Sequence, residues 1–213
     1  MSKFSVVMTV YDNGVELEEH LKDFLTQDYP EGYEVIVVDE SSTDNSDDIL
    51  KLHMQQYPHL YKTFLPKPYR DVIRKRLALT LGVKAAKNEW VILSDIHSFP
   101  PSETWLSELS ESLDKTSDLY LGYFTKKGMR LESYEEVDYA EKTIVKAERL
   151  MADGHKGKMM KVRRGKYDFI VVKRERPMML SRSSRRKSDF GNCLASDLVY
   201  CLSNESIVCI SEE

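Results

Sequence analysis

The chain has 213 residues, 41% hydrophobic and 31% charged, with a formal net charge of −4. These values suit one large soluble domain and exclude disorder throughout. No run approaches the roughly 20 apolar residues that a membrane span needs, and Met1-Ser2-Lys3-Phe4 enters a strand-like pattern without a signal-peptide profile, so a cytoplasmic protein is expected.

In chain order, residues 4–11 form a β-rich run closed by Asp12-Asn13-Gly14, which reads as a buried strand ending in a turn. Val15, Leu17, Leu21, Phe24 and Leu25 then recur at helical spacing, and the pattern stops at Gln27-Asp28-Tyr29-Pro30. A second strand over 33–38 ends at Asp39-Glu40-Ser41-Ser42-Thr43-Asp44. Asp44 or Ser46 is the expected cap of a helix carrying Ile49, Leu50, Leu52 and Met54. Residues 61–65 suggest an edge-like strand, and 71–87 a helix with Ile73, Leu77, Leu81 and Ala85 on one stripe.

A fourth strand, Trp90 to Leu93, runs into Ser94-Asp95-Ile96-His97. An acid and a neutral imidazole two apart at a strand's carboxyl end both reach one divalent ion, whose remaining positions take phosphate oxygens. A solvated loop acid and histidine is the plainer alternative. Beyond Pro100-Pro101, Thr104, Trp105, Leu106, Leu109 and Leu113 read as a helix with Ser102 as its cap, and 119–124 as a further strand.

Regularity then fades. Residues 132–151 are helix-compatible and 154–166 have the composition of a loop. Residues 167–172, 178–180 and 207–210 are candidate strands, and 196–202 a short helix. Lys156 to Lys187 holds 13 Lys and Arg against Asp168 and Glu175. Such a block suits a diphosphate, an anionic membrane face or a solvated loop, whereas no aromatic interleaving or recognised module points to nucleic acid. Cys193, Cys201 and Cys209 lack metal-ligand spacing and read as free thiols.

Strands alternating with helices over the first half predict right-handed crossovers and a mainly parallel sheet with ligands at its carboxyl edge. Tyr11, Asp39 and Asp95 each fall at that end of a predicted strand. The expected organisation is a ligand-binding half over 1–125 and a smaller, irregular half over 126–213 of the same domain.

Three blocks carry a resemblance: Val6-Val7-Met8-Thr9-Val10-Tyr11-Asp12-Asn13, then residues 35–44, then Trp90 to Pro101 followed by Trp105-Leu106. In this order the chain resembles the family 2 glycosyltransferases, inverting enzymes of the nucleotide-sugar-binding GT-A fold. The resemblance implies an α/β fold, a UDP-linked donor and an acceptor hydroxyl on a glycan or lipid-linked molecule. It makes 1–125 the nucleotide-sugar-binding half and 126–213 the acceptor-side half of the same catalytic domain. It implies that Thr9, Val10 and Tyr11 shelve the base, that Asp39 accepts from uracil or ribose, and that Arg74 with Arg76 or Lys75 meets the diphosphate. Asp39 reads alternatively as a turn or capping acid, and the cations as a solvated helix face.

At the metal position Asp95 stands with His97 where a second acid is commoner. The pair is expected to bind Mn2+, and Mg2+ less well, because imidazole suits softer ions. The resemblance further places the catalytic base in Ser196-Asp197-Leu198-Val199-Tyr200, with Asp197 as the candidate; relatives carry two or three acids there, so a supporting or helix-capping role stays open. A domain that binds nucleotide sugars without turnover is the alternative function. A dinucleotide oxidoreductase lacks its Gly-x-Gly-x-x-Gly after the first strand. Relatives often carry a membrane segment after this domain, and the end at Glu213 leaves natural solubility and truncation both open. The basic stretch 156–187 is expected either to hold the domain at an anionic membrane surface or to close over the donor as a lid.

Overall fold

The computed structural model describes residues 2–66, 74–113, 119–125, 128–133, 159–163, 168–175 and 205–209. Its strands are β1 (Phe4–Val10), β2 (Tyr33–Asp39), β3 (Leu60–Phe64), β4 (Trp90–Leu93), β5 (Leu119–Thr125), β6 (Gly128–Ser133), β7 (Met159–Arg163), β8 (Phe169–Lys173) and β9 (Glu205–Cys209). Its helices are α1 (Gly14–Leu25), α2 (Ser46–Gln56), α3 (Arg74–Ala85) and α4 (Trp105–Ser112).

One sheet of seven strands has the order β3-β2-β1-β4-β8-β5-β6. β3, β2, β1 and β4 pair in parallel, as expected from the strand-helix alternation. β8 is antiparallel to both β4 and β5, and β6 is antiparallel to β5. The sheet is therefore mixed, and a strand from the carboxyl-terminal half completes its centre.

β1, β4 and most of β2 are buried on both faces, which explains why they read as continuous apolar runs rather than alternating ones. On one face Phe4, Val6, Met8, Val35, Val37, Trp90 and Ile92 pack with Leu17, Leu21 and Phe24 of α1 and with Trp105, Leu106 and Leu109 of α4. On the other, Val7, Ile36, Val38, Val91 and Leu93 pack with Ala78, Leu79 and Val83 of α3.

Several local expectations are corrected. The inner face of α3 is Ala78, Leu79 and Val83, continued by Ala86 just past the helix, whereas Leu77 is 42% exposed. Ala78 and Gly82 let the helix lie close on the sheet, and with Leu79 and Val83 turned inward the helical period leaves Leu77 outward. Of the apolar residues of α2 only Leu50 is fully buried, and Leu52 and Met54 are exposed; in α1 Val15 is 67% exposed. Residues 159–163, expected as loop, form β7 and pair with β9, because alternating Lys and Arg need not prevent a two-stranded ladder. Glu132 and Ser133 end β6 rather than open a helix.

Ser102 does not cap α4. Thr104 holds the cap position without a side-chain cap bond; the amide of Leu106 instead donates to Oε1 of buried Gln27 at 3.2 Å. Gln27 Nε2 in turn donates to the Ser102 carbonyl at 2.9 Å. One glutamine after α1 thus satisfies an orphan donor at the start of α4.

Candidate donor and metal site

The chain runs from β1 out to β2 and β3 and then crosses back to β4 on the other side of β1. The strand order reverses between β1 and β4, and in open parallel sheets the crevice at such a reversal receives the ligand. Because β1, β2 and β4 are parallel, the segments that follow Val10, Asp39 and Leu93 open on one edge. The expected convergence of Tyr11, Asp39 and Asp95 on that edge follows from this topology.

The loops after β1 and β2 are joined by hydrogen bonds. The Glu40 amide donates to the Val10 carbonyl at 2.9 Å. Asp12 accepts from the Thr43 amide at 2.6 Å, and its own amide donates to Ser42 Oγ at 3.0 Å. Asp12 and Ser41 have φ of 51° and 66°, a left-handed geometry that non-glycine residues hold only when surrounding bonds fix it. Asp44 ties the starts of two helices, accepting from the Gly14 amide at 2.8 Å and the Ser46 amide at 3.0 Å. Although burial acts in the opposite sense, these bonds and the Ser46 hydroxyl hold the Asp44 carboxyl below its ordinary pKa.

Thr9 and Val10 are buried, so only their backbone can serve as a shelf, whereas Tyr11 is 49% exposed. Asp39 is buried, and its Oδ1 accepts from the amide and hydroxyl of Ser42 at 2.8 and 2.7 Å. The turn role offered by the sequence is therefore present. Arg74 and Arg76 lie in the first turn of α3. Just past the helix's far end, the Lys87 amide donates to Glu34 and Asn88 donates to the Phe4 carbonyl, both at strand beginnings; the arginine end accordingly points towards the carboxyl edge. Asp197 lies outside the described residues.

The loop after β4 starts when the Ser94 amide donates to the Val7 carbonyl at 3.0 Å. The His97 amide donates to Asp95 Oδ1 at 3.2 Å, and the ring's Nε2 stands 3.8 Å from the same oxygen. Adjacent donors on one octahedral ion are about 3 Å apart, so a small ring rotation would let both atoms share an ion, and the pair fits a divalent metal. Among the described residues no set of three or more His, Cys, Asp or Glu forms a metal cage.

Two contributors escaped the sequence reading. Glu16 Oε1 lies 4.0 Å from His97 Nδ1, and the His20 ring stacks on Phe99 at 3.8 Å between centroids with a 9° tilt. Both belong to α1, where charged residues at exposed helical positions carry no motif.

Strand order, the reversal beside β1 and the acid-imidazole loop at the end of β4 define a GT-A-type α/β domain. The family described as Glycosyl transferase family 2 matches residues 5–169, and the chain belongs to that family. It is 29% identical over 159 residues to a poly(ribitol-phosphate) beta-glucosyltransferase of Bacillus spizizenii. It is 28% identical over 105 residues to a dolichyl N-acetyl-alpha-D-glucosaminyl phosphate 3-beta-D-2,3-diacetamido-2,3-dideoxy-beta-D-glucuronosyltransferase of Methanococcus voltae. These matches cover 67% and 48% of this chain but only 23% and 32% of the relatives' own lengths. Among solved structures, the mannosyltransferase PcManGT of Pyrobaculum calidifontis, in complex with GDP-Man and Mn2+, shares the fold with a TM-score of 0.56 at 21% identity, over 85% of this chain and 46% of that one. Among the described residues no helix is long and apolar enough to cross a membrane.

Proposed function

We propose that the chain transfers a sugar from a nucleoside-diphosphate sugar, UDP-linked, to a hydroxyl of a glycan or lipid-linked acceptor, with inversion at the anomeric carbon. The observation that carries this reading is the approach of Asp95 and His97 to 3.8 Å at the carboxyl end of β4, next to the strand-order reversal. Membership of the family and the named activities of its relatives support it.

In this reading the exposed ring of Tyr11 and the backbone at Thr9 and Val10 receive the base. Asp39, already oriented by Ser42, accepts from uracil or ribose. Asp95 and His97 would hold Mn2+, or Mg2+ less well, which would supply positive charge against the diphosphate. The positive end of α3, with Arg74 and Arg76, faces the phosphates. The acceptor oxygen attacks the anomeric carbon opposite the leaving diphosphate, Asp197 takes its proton, and the bond to the diphosphate oxygen breaks with its electron pair. Residues 126–213 supply the acceptor side, and the basic stretch 156–187 meets an anionic membrane surface or closes over the donor.

The test is release of UDP from a panel of UDP-sugars, with and without Mn2+, by the chain and by Asp95→Asn. Mn2+-dependent release that the variant loses supports the proposal. Equal donor affinity with and without metal, measured by calorimetry, overturns its metal assignment. Absence of release with tight donor binding would favour a binding domain.

A further inference from the structure

Glu16 and His20 are one helical turn apart on α1 and therefore share a face. His97 and Phe99 are two apart in the loop after β4. Glu16 faces His97 and His20 stacks on Phe99, so one face of α1 grips the loop at two points. His20 also lies near acids on its own helix, with Nε2 at 3.7 Å from Glu19 and Nδ1 at 3.5 Å from Asp23.

The two ring nitrogens of His97 are thereby distinguished. Nε2 is turned to Asp95 Oδ1 at 3.8 Å and Nδ1 to Glu16 Oε1 at 4.0 Å. A histidine that ligates a metal through one nitrogen commonly donates its other N–H to a carboxylate, which fixes the tautomer and the ring plane. The 57% exposure of the His97 side chain makes such support consequential, because an exposed imidazole otherwise samples several rotamers and presents its ligating nitrogen only part of the time.

The support continues towards the base shelf. Asn13 Nδ2 donates to Glu16 Oε2 at 3.4 Å, and Asn13 Oδ1 accepts from the Tyr11 amide at 3.0 Å. Tyr11, Asn13, Glu16, His97 and Asp95 form a continuous line from the proposed base site to the proposed metal site.

We infer that Glu16 is the positioning residue of the metal site, orienting His97 through Nδ1 so that Nε2 and Asp95 present together to a divalent ion. The inference rests on the proposed metal role of Asp95 and His97 and adds a residue from a different element. Glu16 acts through the imidazole, so its removal should change metal binding through the nitrogen ligand.

The experiment titrates the full chain with Mn2+, following the free-ion signal by electron paramagnetic resonance with UDP present, and reads nitrogen-14 modulation of the bound ion. The unmodified chain should show imidazole coupling, and His97→Ala should lose it. Glu16→Ala should weaken Mn2+ binding by about 10- to 100-fold, the range known for lost supporting carboxylates, and diminish the coupling. Glu16→Gln, which keeps an acceptor oxygen, should fall between. Glu16→Ala with unchanged affinity and coupling overturns the inference while leaving the metal site standing. Bound Mn2+ without nitrogen coupling in the unmodified chain removes His97 as a ligand, and the inference falls with it. Weakened binding in Glu16→Ala that Glu16→Gln does not restore, accompanied by an equal fall in melting temperature for both, would mark a structural role and also overturn it.

Discussion

Asp12 and Thr43 lie 31 positions apart, yet the Asp12 carboxylate accepts both the Thr43 amide at 2.6 Å and its hydroxyl at 3.2 Å. This contact fixes the loop after β1 against the loop after β2, one residue past Tyr11 of the proposed base site. Asp12 also carries a φ of 51°, a conformation that Asn tolerates and Ala tolerates poorly. Asp12→Asn should therefore bind UDP nearly as the unmodified chain does. Asp12→Ala should weaken binding about tenfold, equivalent to about 1.4 kcal/mol, as measured by calorimetry.

A Cβ added to Gly82 would lie 2.4 Å from Val7 Cγ1 and 3.2 Å from Val38 Cγ2. Helix propensity alone favours Ala over Gly by about 1 kcal/mol, but overpacking a close interface costs about 1–3 kcal/mol. Gly82→Ala should accordingly lower the denaturant midpoint, and combining it with Val7→Ala should recover part of the loss. An increase in stability from the single substitution would show that α3 can lift from the sheet at little cost.

His59 sits with Nε2 3.2 Å from the Leu25 carbonyl and edge-on to Tyr33 and Tyr57 at 4.8 and 6.0 Å. Burial holds its pKa below the ordinary imidazole value. The folded form thus resists protonation while the unfolded chain takes a proton near pH 6.5. Its contribution is present above that pH and is lost as pH falls through the lower folded value. Melting temperature should drop on acidification, and the drop between pH 7 and 5 should be shallower in His59→Gln. Identical slopes in the two proteins would exclude His59 as a source.

Asp197→Asn should preserve UDP-sugar binding while abolishing transfer, if its carboxylate is the base that takes the acceptor proton. Binding by calorimetry and product formation by chromatography separate the two effects. Full turnover in this variant would assign the base elsewhere.

β1, β2 and β4 were legible because buried parallel strands concentrate Val, Ile and Leu into short runs that turn residues delimit. The acid-imidazole loop was legible for the same reason, since Trp90 to Leu93 sets its position at a strand end. The α3 face was not, because Ala78 and Gly82 give little apolar signal although they decide how closely the helix approaches. β7 was hidden by its cations, and the role of Gln27 at α4 depends on a contact 79 positions away. Glu16 escaped for a related reason: its partner His97 comes from a different element, which spacing along α1 does not reveal.

β8 occupies the slot between β4 and β5, yet it is synthesised after both. Until residue 173 has left the ribosome, Trp90 to Leu93 present an unsatisfied backbone edge at the border of the four parallel strands. Such an edge is a template for pairing with other chains. Fragments that stop near residue 125 should therefore self-associate, and production of this protein depends on its later segment arriving in time to seal that gap.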